Sequence, residues 1–248
     1  RRFCDPDYRA RQLAKTRRLR QHGTSFLPDV AYPGAAGGFT CTGLDYDEGS
    51  DSFWIGNFGC DSATATEYHP SLVNVSSDFS VLIQEIPLPE TIVNLQGVAF
   101  DSSNDTIWFA SNEWLVNFNK SGEEIQRISL EKYGNFLANG LAYDDKSDTL
   151  WCLCYRKWLL NIGKDGNVIQ KISVDFRHQD QLCWWGDNLL FSLGADYNGN
   201  DNWIGIVNLE NGTSRKLWRV PHSYAVEGIF AGGGHLFVLN DGVYHNAK

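Results

Sequence analysis

Five polar residues occupy the same place in five related segments, each just ahead of a glycine or its counterpart. They are Thr42 in TGLDYDEGSDSFWIGNF, Gln96 in QGVAFDSSNDTIWFASN, Asn139 in NGLAYDDKSDTLWCLCY, Asp180 in DQLCWWGDNLLFSLG and Glu227 in EGIFAGGGHLFVLND. Amide and carboxylate oxygens converging from separate segments suit a hard cation or a polar ligand. The same side chains could equally cap strands by bonding backbone amides. A second oxygen-rich run, Asp196-Tyr197-Asn198-Gly199-Asn200-Asp201-Asn202, has the outline of a calcium loop. It lacks the glycine at the sixth position of an EF-hand, and Val207 replaces the glutamate at the twelfth. A Gly/Asn-rich hairpin turn accounts for it better. With Trp203 the loop also suits a glycan or partner contact.

Familiar catalytic arrangements are missing. His22, His69, His178, His222, His235 and His245 form no local cluster, and there is no HExxH, G-x-S-x-G elbow or P-loop. No carboxylate pair is singled out for acid/base work. Cys4, Cys41, Cys60, Cys152, Cys154 and Cys183 show no CxxC and no zinc spacing, and read as mainly buried free thiols. Sequons at Asn74, Asn104, Asn119 and Asn211 are near chance for an Asn-rich chain.

The five segments must be positioned by a repeat. Their aromatic anchors Trp54, Trp108, Trp151, Phe191 and Phe237 are 54, 43, 40 and 46 residues apart, a period that suits a four-stranded blade. In the second copy Gly97–Phe100 reads as an inner strand with small residues toward a crowded axis, and residues 101–105 as a turn. Thr106–Ala110, Trp114–Phe118 and Glu124–Leu130 follow as further strands. The third copy repeats this with Trp158–Ile162 and Val168–Val174. One sheet cannot bury both faces, but blades around an axis can. The expected fold is therefore all-β, a single propeller of five blades over residues 24–248, with a β-sandwich as the alternative. After Asn240 the last copy is short, and residues 24–33 (TSFLPDVAYP) are placed to supply a closing strand.

Charge is unevenly placed. Residues 1–22 hold eight Lys/Arg and two Asp, a net of +6, leaving 13 Lys/Arg against 28 Asp/Glu, a net of −15, for the rest. Asp5 as N-cap, Pro6 at the first helical position and Gly23 as a stop predict a helical arm over residues 1–23. Its apolar stripe (Tyr8, Leu13, Leu19) is thin, so Arg9, Arg11, Lys15, Arg17, Arg18 and Arg20 are expected to face a partner. The acidic body repels nucleic acid and anionic membranes, whereas the arm could bind either, or an acidic protein. No apolar run is long enough for a membrane-spanning helix, and the start RRFCDPDYRARQ has no apolar secretory core.

With its G-[LV]-A-[FY]-D cores followed by D-T-[LI]-W, the chain resembles the superfamily of five- and six-bladed propellers that includes the NHL, gluconolactonase-like and SdiA-regulated families. The SdiA-regulated type is nearest, and the resemblance spans about residues 38–240. It implies that the residue before the glycine faces a central channel, where metal-binding members hold calcium. Asn139, Asp180 and Glu227 would be the ligands here, with Gln96 beside them at the mouth and Thr42 and Gln96 as the weaker donors. The motif specifies architecture more than function. The layout is read first as a non-enzymatic binding or attachment module. The acidic propeller would present loops to a protein, glycan or other surface ligand, and the arm would anchor it to a virion or cell-surface assembly. That location, extracellular or on a surface, is favoured over the cytoplasm. The alternatives are a calcium-dependent hydrolase or lactonase at the channel mouth and a purely structural assembly protein.

Overall fold

A computed structural model describes residues 40–61, 66–67, 69–133, 137–154, 157–175, 179–193, 202–220, 223 and 226–240. The expected helical arm (1–23), the closing segment (24–33) and all but Asn202 of the run 196–202 lie outside them.

Each repeat folds as an antiparallel meander. Blade 1 holds β1 (Cys41–Asp47), β2 (Ser52–Asn57), β5 (Ser71–Ser76) and β6 (Leu82–Pro87), with a small hairpin of β3 (Cys60–Asp61) and β4 (Thr66–Glu67) inserted after β2. Blade 2 is β7 (Leu95–Asp101), β8 (Thr106–Ser111), β9 (Trp114–Asn119) and β10 (Glu124–Ser129). Blade 3 is β11 (Ala138–Asp144), β12 (Thr149–Cys154), β13 (Trp158–Gly163) and β14 (Val168–Ser173). Blade 4 is β15 (Gln179–Trp185), β16 (Asn188–Leu193), β17 (Trp203–Val207) and β18 (Ser214–Arg219). A two-stranded sheet follows, β19 (Val226–Gly232) and β20 (His235–Asn240). The inner strands β1, β7, β11, β15 and β19 lie side by side in that order, and β19 returns to β1. The fold is thus an all-β propeller, with four four-stranded blades and a two-stranded sheet in the gap between blade 4 and blade 1.

Large side chains fill the wedges between sheets. Trp54, Trp108 and Trp151 pair with Asp45, Ala99 and Ala142 on their inner strands, so they occupy one equivalent position. Each packs against the following blade: Trp54 with Val98 and Phe100, Trp108 with Leu141 and Tyr143, Trp151 with Leu182 and Leu189. They are 1%, 2% and 4% exposed, so burial of each stabilises the fold by about 2–3 kcal/mol. The fourth anchor needs correction. Leu190, opposite Cys183, takes the tryptophan position, and Phe191, opposite Leu182, points to the other wedge. The inner hairpins of blades 1–3 have four-residue turns, whereas those of blade 4 and the last sheet are closed by Gly186-Asp187 and Gly233-Gly234. With the turn two residues shorter, the wedge residue stands nine rather than eleven residues after the glycine position, so Phe191, at ten, is one residue off, and one residue exchanges the faces of a strand.

In blades 1–3 the inner strand ends in an aspartate that builds the turn. The Asp47 carboxylate accepts from Gly49 N (2.9 Å) and Ser50 Oγ (2.7 Å), and that of Asp101 from Ser103 N (3.0 Å) and Ser103 Oγ (2.8 Å). Asp144 accepts from Lys146 N (3.0 Å) and Ser147 Oγ (2.9 Å). Lysines from the next blade then reach back to two of these aspartates. Lys120 lies 2.6 Å from Asp47 and also binds Asp105, and Lys164 lies 2.6 Å from Asp101 and also binds Asp148. Lys120 sits over the Phe100 ring and Lys164 over that of Tyr143, each 4.9 Å from the centroid. Side-chain amides add a second tie around the rim. Gln84 donates to the carbonyl of Lys120 (2.9 Å), Gln126 to that of Lys164 and Gln170 to that of Leu209 (3.0 Å).

Candidate functional site

Thr42, Gln96, Asn139, Asp180 and Glu227 are each the second residue of an inner strand. At each of them the ladder to the next strand slips. Thr42 and Gly43 together lie opposite Gly56, and the same occurs at Gln96-Gly97, Asn139-Gly140, Asp180-Gln181 and Glu227-Gly228. Five β-bulges at one level therefore re-aim five polar residues, a use of bulges common at barrel rims and beside functional sites. Thr42 is buried and the other four are half-buried. Thr42 Oγ1 donates to the Gln96 carbonyl (3.1 Å) and Asn139 Nδ2 to Asp180 Oδ1 (3.3 Å), each linking neighbouring blades. The Asn139–Asp180 pair presents a donor beside an acceptor, which suits a hydrogen-bonding ligand. A calcium ion would need the amide turned so that its oxygen faced inward. Among the described residues no group of three or more His, Cys, Asp or Glu is placed to hold a metal ion.

Beneath this ring the axis is closed. A Cβ on Gly97 would fall 2.5 Å from both the Asn139 carbonyl oxygen and the Leu141 nitrogen, so backbone meets backbone there and only glycine fits. Gly43 and Gly140 meet the next inner strand in the same way, at 2.4 Å from Val98 N and 2.5 Å from Asp180 O. In blade 4 the glycine position carries Gln181, which is fully buried. Its Nε2 donates to the Val98 carbonyl two blades away (3.1 Å), and its Oε1 accepts from Leu141 N (2.9 Å) and Leu182 N (3.1 Å). Ser192 completes the seal, accepting from Gln181 N (2.9 Å) and donating to the Glu227 carbonyl (3.3 Å). Sequence reasoning missed Gln181; the signal was the single polar residue in a column of glycines.

Below the plug Asp45 stands where blades 2, 3 and 4 carry Ala99, Ala142 and Cys183. It accepts from Phe100 N (2.7 Å) and Tyr46 N (2.8 Å). Burial raises its carboxyl to about 7, with the Asp47 charge adding to the effect and the two backbone bonds opposing it. Burial, and then the Asp45 charge, push the Cys183 thiol well up. Asp47 and Asp101 behave oppositely: burial opposes their ionisation, but the lysines and serines outweigh it and hold both below the usual carboxylate range.

Other candidates from the sequence fall into structural roles. Asn202 is buried and ties its loop to Ser223, with Nδ2 at 2.8 Å from the Ser223 carbonyl and 3.0 Å from Oγ. Asn74, in a sequon, is 3% exposed and donates to Ser52 Oγ and the Phe53 carbonyl, so in the folded chain it is not an acceptor of glycan. Cys41, Cys152, Cys154 and Cys183 are buried free thiols, and the sulfurs of Cys152 and Cys154 are 3.5 Å apart on one face of β12. Among the described residues no helix is long and apolar enough to cross a membrane.

No family model matches the chain, and no curated protein matches it. Solved structures do. Glutaminyl cyclase of Myxococcus xanthus is 14% identical over 85% of this chain and 89% of its own, with a TM-score of 0.60. The corresponding figures for a chain of the nidogen/laminin complex are 13%, 82%, 73% and 0.54. For virginiamycin B lyase of Staphylococcus aureus they are 15%, 87%, 65% and 0.51, so this chain spans less than two thirds of the lyase. At such identities the likeness is one of fold: the chain is a β-propeller.

Proposed function

We propose that the protein is a binding module without catalytic activity. The two-stranded sheet is the inner half of a fifth blade, and the mouth ring of Gln96, Asn139, Asp180 and Glu227 receives a polar group of a ligand or partner. The basic arm, through Arg9, Arg11, Lys15, Arg17, Arg18 and Arg20, attaches the acidic propeller to a larger assembly such as a virion or cell surface. The observation that carries this reading is the pairing of five aligned bulges with a sealed axis. Gln181 with the glycine backbones closes the axis next to the bulges, and the half-buried Gln96, Asn139, Asp180 and Glu227 would form the polar floor of a ligand site. Sugar hydroxyls and peptide amides, which both donate and accept, match the Asn139–Asp180 pair.

A second reading comes from the structural neighbours, which include a cyclase and a lyase as well as a chain from the nidogen/laminin complex. Here the mouth would be catalytic, as a calcium-dependent hydrolase or lactonase or as an enzyme acting on small amides. The test is a glycan and peptide binding panel with the full chain and with Asn139→Ala and Asp180→Ala. In parallel, turnover of lactones, aryl esters and peptides with an N-terminal glutamine is assayed with and without EDTA. Binding lost in both variants with no turnover supports the module. Turnover abolished by the variants, or by EDTA and restored by calcium, replaces it with the enzyme. The arm is tested separately by release from native membranes or particles at raised ionic strength. Exposed ion pairs contribute only about 0.2–1 kcal/mol each, so an attachment built from several should weaken with salt.

A further inference from the structure

Blade 3 departs from the other four-stranded blades at two places on its second strand. β12 carries Cys152 where β2, β8 and β16 carry Ile55, Phe109 and Phe191. Two residues on it carries Cys154, where the others have Asn57, Ser111 and Leu193. Both cysteines are 0% exposed and face the wedge between blades 2 and 3, in one cluster with Ala110, Leu115, Leu130 and Leu160. A thiol thus replaces a bulky apolar side chain in this wedge alone, and a second thiol stands 3.5 Å from it, sulfur to sulfur. Cys41 and Cys183 belong to other clusters.

Two thiols at this spacing cannot close on each other. Alternate residues of a strand are about 6.6 Å apart, whereas a disulfide holds its β-carbons within about 3.5–4.5 Å. Closing the bond would break the ladder in which Cys152 pairs with Leu141 and Leu160, and Cys154 with Ala138 and Trp158. The same spacing leaves room for an atom between the sulfurs. Metal–thiolate bonds of about 2.3 Å span up to about 4.6 Å, so the sulfurs need only turn apart by about 1 Å from where they stand. Which ion fits follows from the donors. Structural zinc takes four ligands, and among the described residues no third His, Cys, Asp or Glu joins the pair. Soft thiolates favour Cu(I), for which two are enough. The hydrogen bond with Cys152, and then burial, keep the Cys154 thiol protonated, while the Lys171 charge favours the thiolate. A cuprous ion between two thiolates carries one net negative charge, which Lys171 would offset.

We propose that Cys152 and Cys154 bind one cuprous ion in the wedge between blades 2 and 3, as a two-coordinate bis-thiolate. Each thiol gives its proton to solvent as its sulfur–copper bond forms, and copper stays Cu(I) throughout. The site uses no residue of the mouth ring, so it is independent of the ligand proposed there.

The test is titration of the full chain, reduced and free of oxygen, with Cu(I) against a colorimetric Cu(I) chelator, followed by X-ray absorption of the copper retained. One equivalent should be withheld from the chelator, with two sulfur neighbours. Cys152→Ala and Cys154→Ser should each lose that equivalent. Cys41→Ala, Cys183→Ala and the double change Cys4→Ala with Cys60→Ala should keep it. Should Cys152→Ala not fold, Cys154→Ser still decides, because blade 2 already carries a serine, Ser111, at that place. Three outcomes overturn the proposal. The chelator may strip all copper from the full chain, or Cys154→Ser may retain the equivalent undiminished. The third is a copper with three or more sulfur neighbours, which would assign it to another set of cysteines.

Discussion

The lysines that join blades 1, 2 and 3 are surface residues by composition but not by circumstance. Asp101 is fully buried, and Lys164 is its charged partner. Removing one member of a buried pair strands the other, which typically costs about 3–5 kcal/mol. Lys164→Ala should therefore lower unfolding free energy by about 3 kcal/mol in urea titrations. Lys146→Ala, which breaks the exposed Lys146–Asp187 pair, should cost less than about 1 kcal/mol. Gly97→Ala is expected to be worse than its single methyl suggests. The Cβ would meet two backbone atoms at 2.5 Å, neither able to rotate away, so a loss of at least about 3 kcal/mol should appear as a much lower melting temperature. These roles differ in how far the sequence discloses them. The crowded axis could be read from Gly43, Gly97 and Gly140, because small residues recurred at one place. The Lys120 and Lys164 clamps could not, because each joins an aspartate in another repeat and sits in a turn that reads as ordinary solvated charge.

Among the elements, the fourth strands β6, β10 and β14 contribute through one residue each. Gln84, Gln126 and Gln170 reach the next blade's outer turn, and each bond should contribute about 1 kcal/mol. The three sites are in separate blades, so their losses should add. The triple alanine variant should lose about 3 kcal/mol in urea unfolding, and a loss well above that sum would show that the rim acts as one cooperative band. Strand positions in the second and third repeats were legible to within two residues, because apolar runs and turn residues alternate cleanly there. Blade 4 was legible in kind but not in register. Its inner turn is two residues shorter, and similarity of aromatics at Phe191 concealed the shift to Leu190. The bulges were written in the sequence as a polar residue before glycine, but two residues facing one across a ladder is a property of the pair of strands. The pairing of Asn139 with Asp180 is likewise set by two blades together.

At the scale of the molecule, acidity has two opposed effects. Asp47 and Asp101 have lowered folded-state values, so the stability they contribute is present above the ordinary aspartate range and is lost as pH falls through those values. Asp45 is raised to about 7, so its contribution is present at low pH and is lost as pH rises through about 7. Stability should therefore climb out of the acid limb and then sag between about pH 4 and pH 7. Asp45→Asn should flatten the sag while leaving the acid limb, as read from urea midpoints across pH 3 to 8. The placement of the clamps also has a consequence for where the ring tolerates a cut. Among the described residues buried lysine–aspartate clamps join blade 1 to 2 and 2 to 3, whereas blades 3 and 4 share the exposed Lys146–Asp187 pair. A circular permutant of residues 1–248 with residue 248 linked to residue 1 and new ends at residues 176–178 leaves both clamped joints spanned by continuous chain. One opened between β6 and β7 must hold the first joint by side chains alone. The first should melt close to the parent and the second well below it, making blades 1 to 3 the keystone segment of the ring.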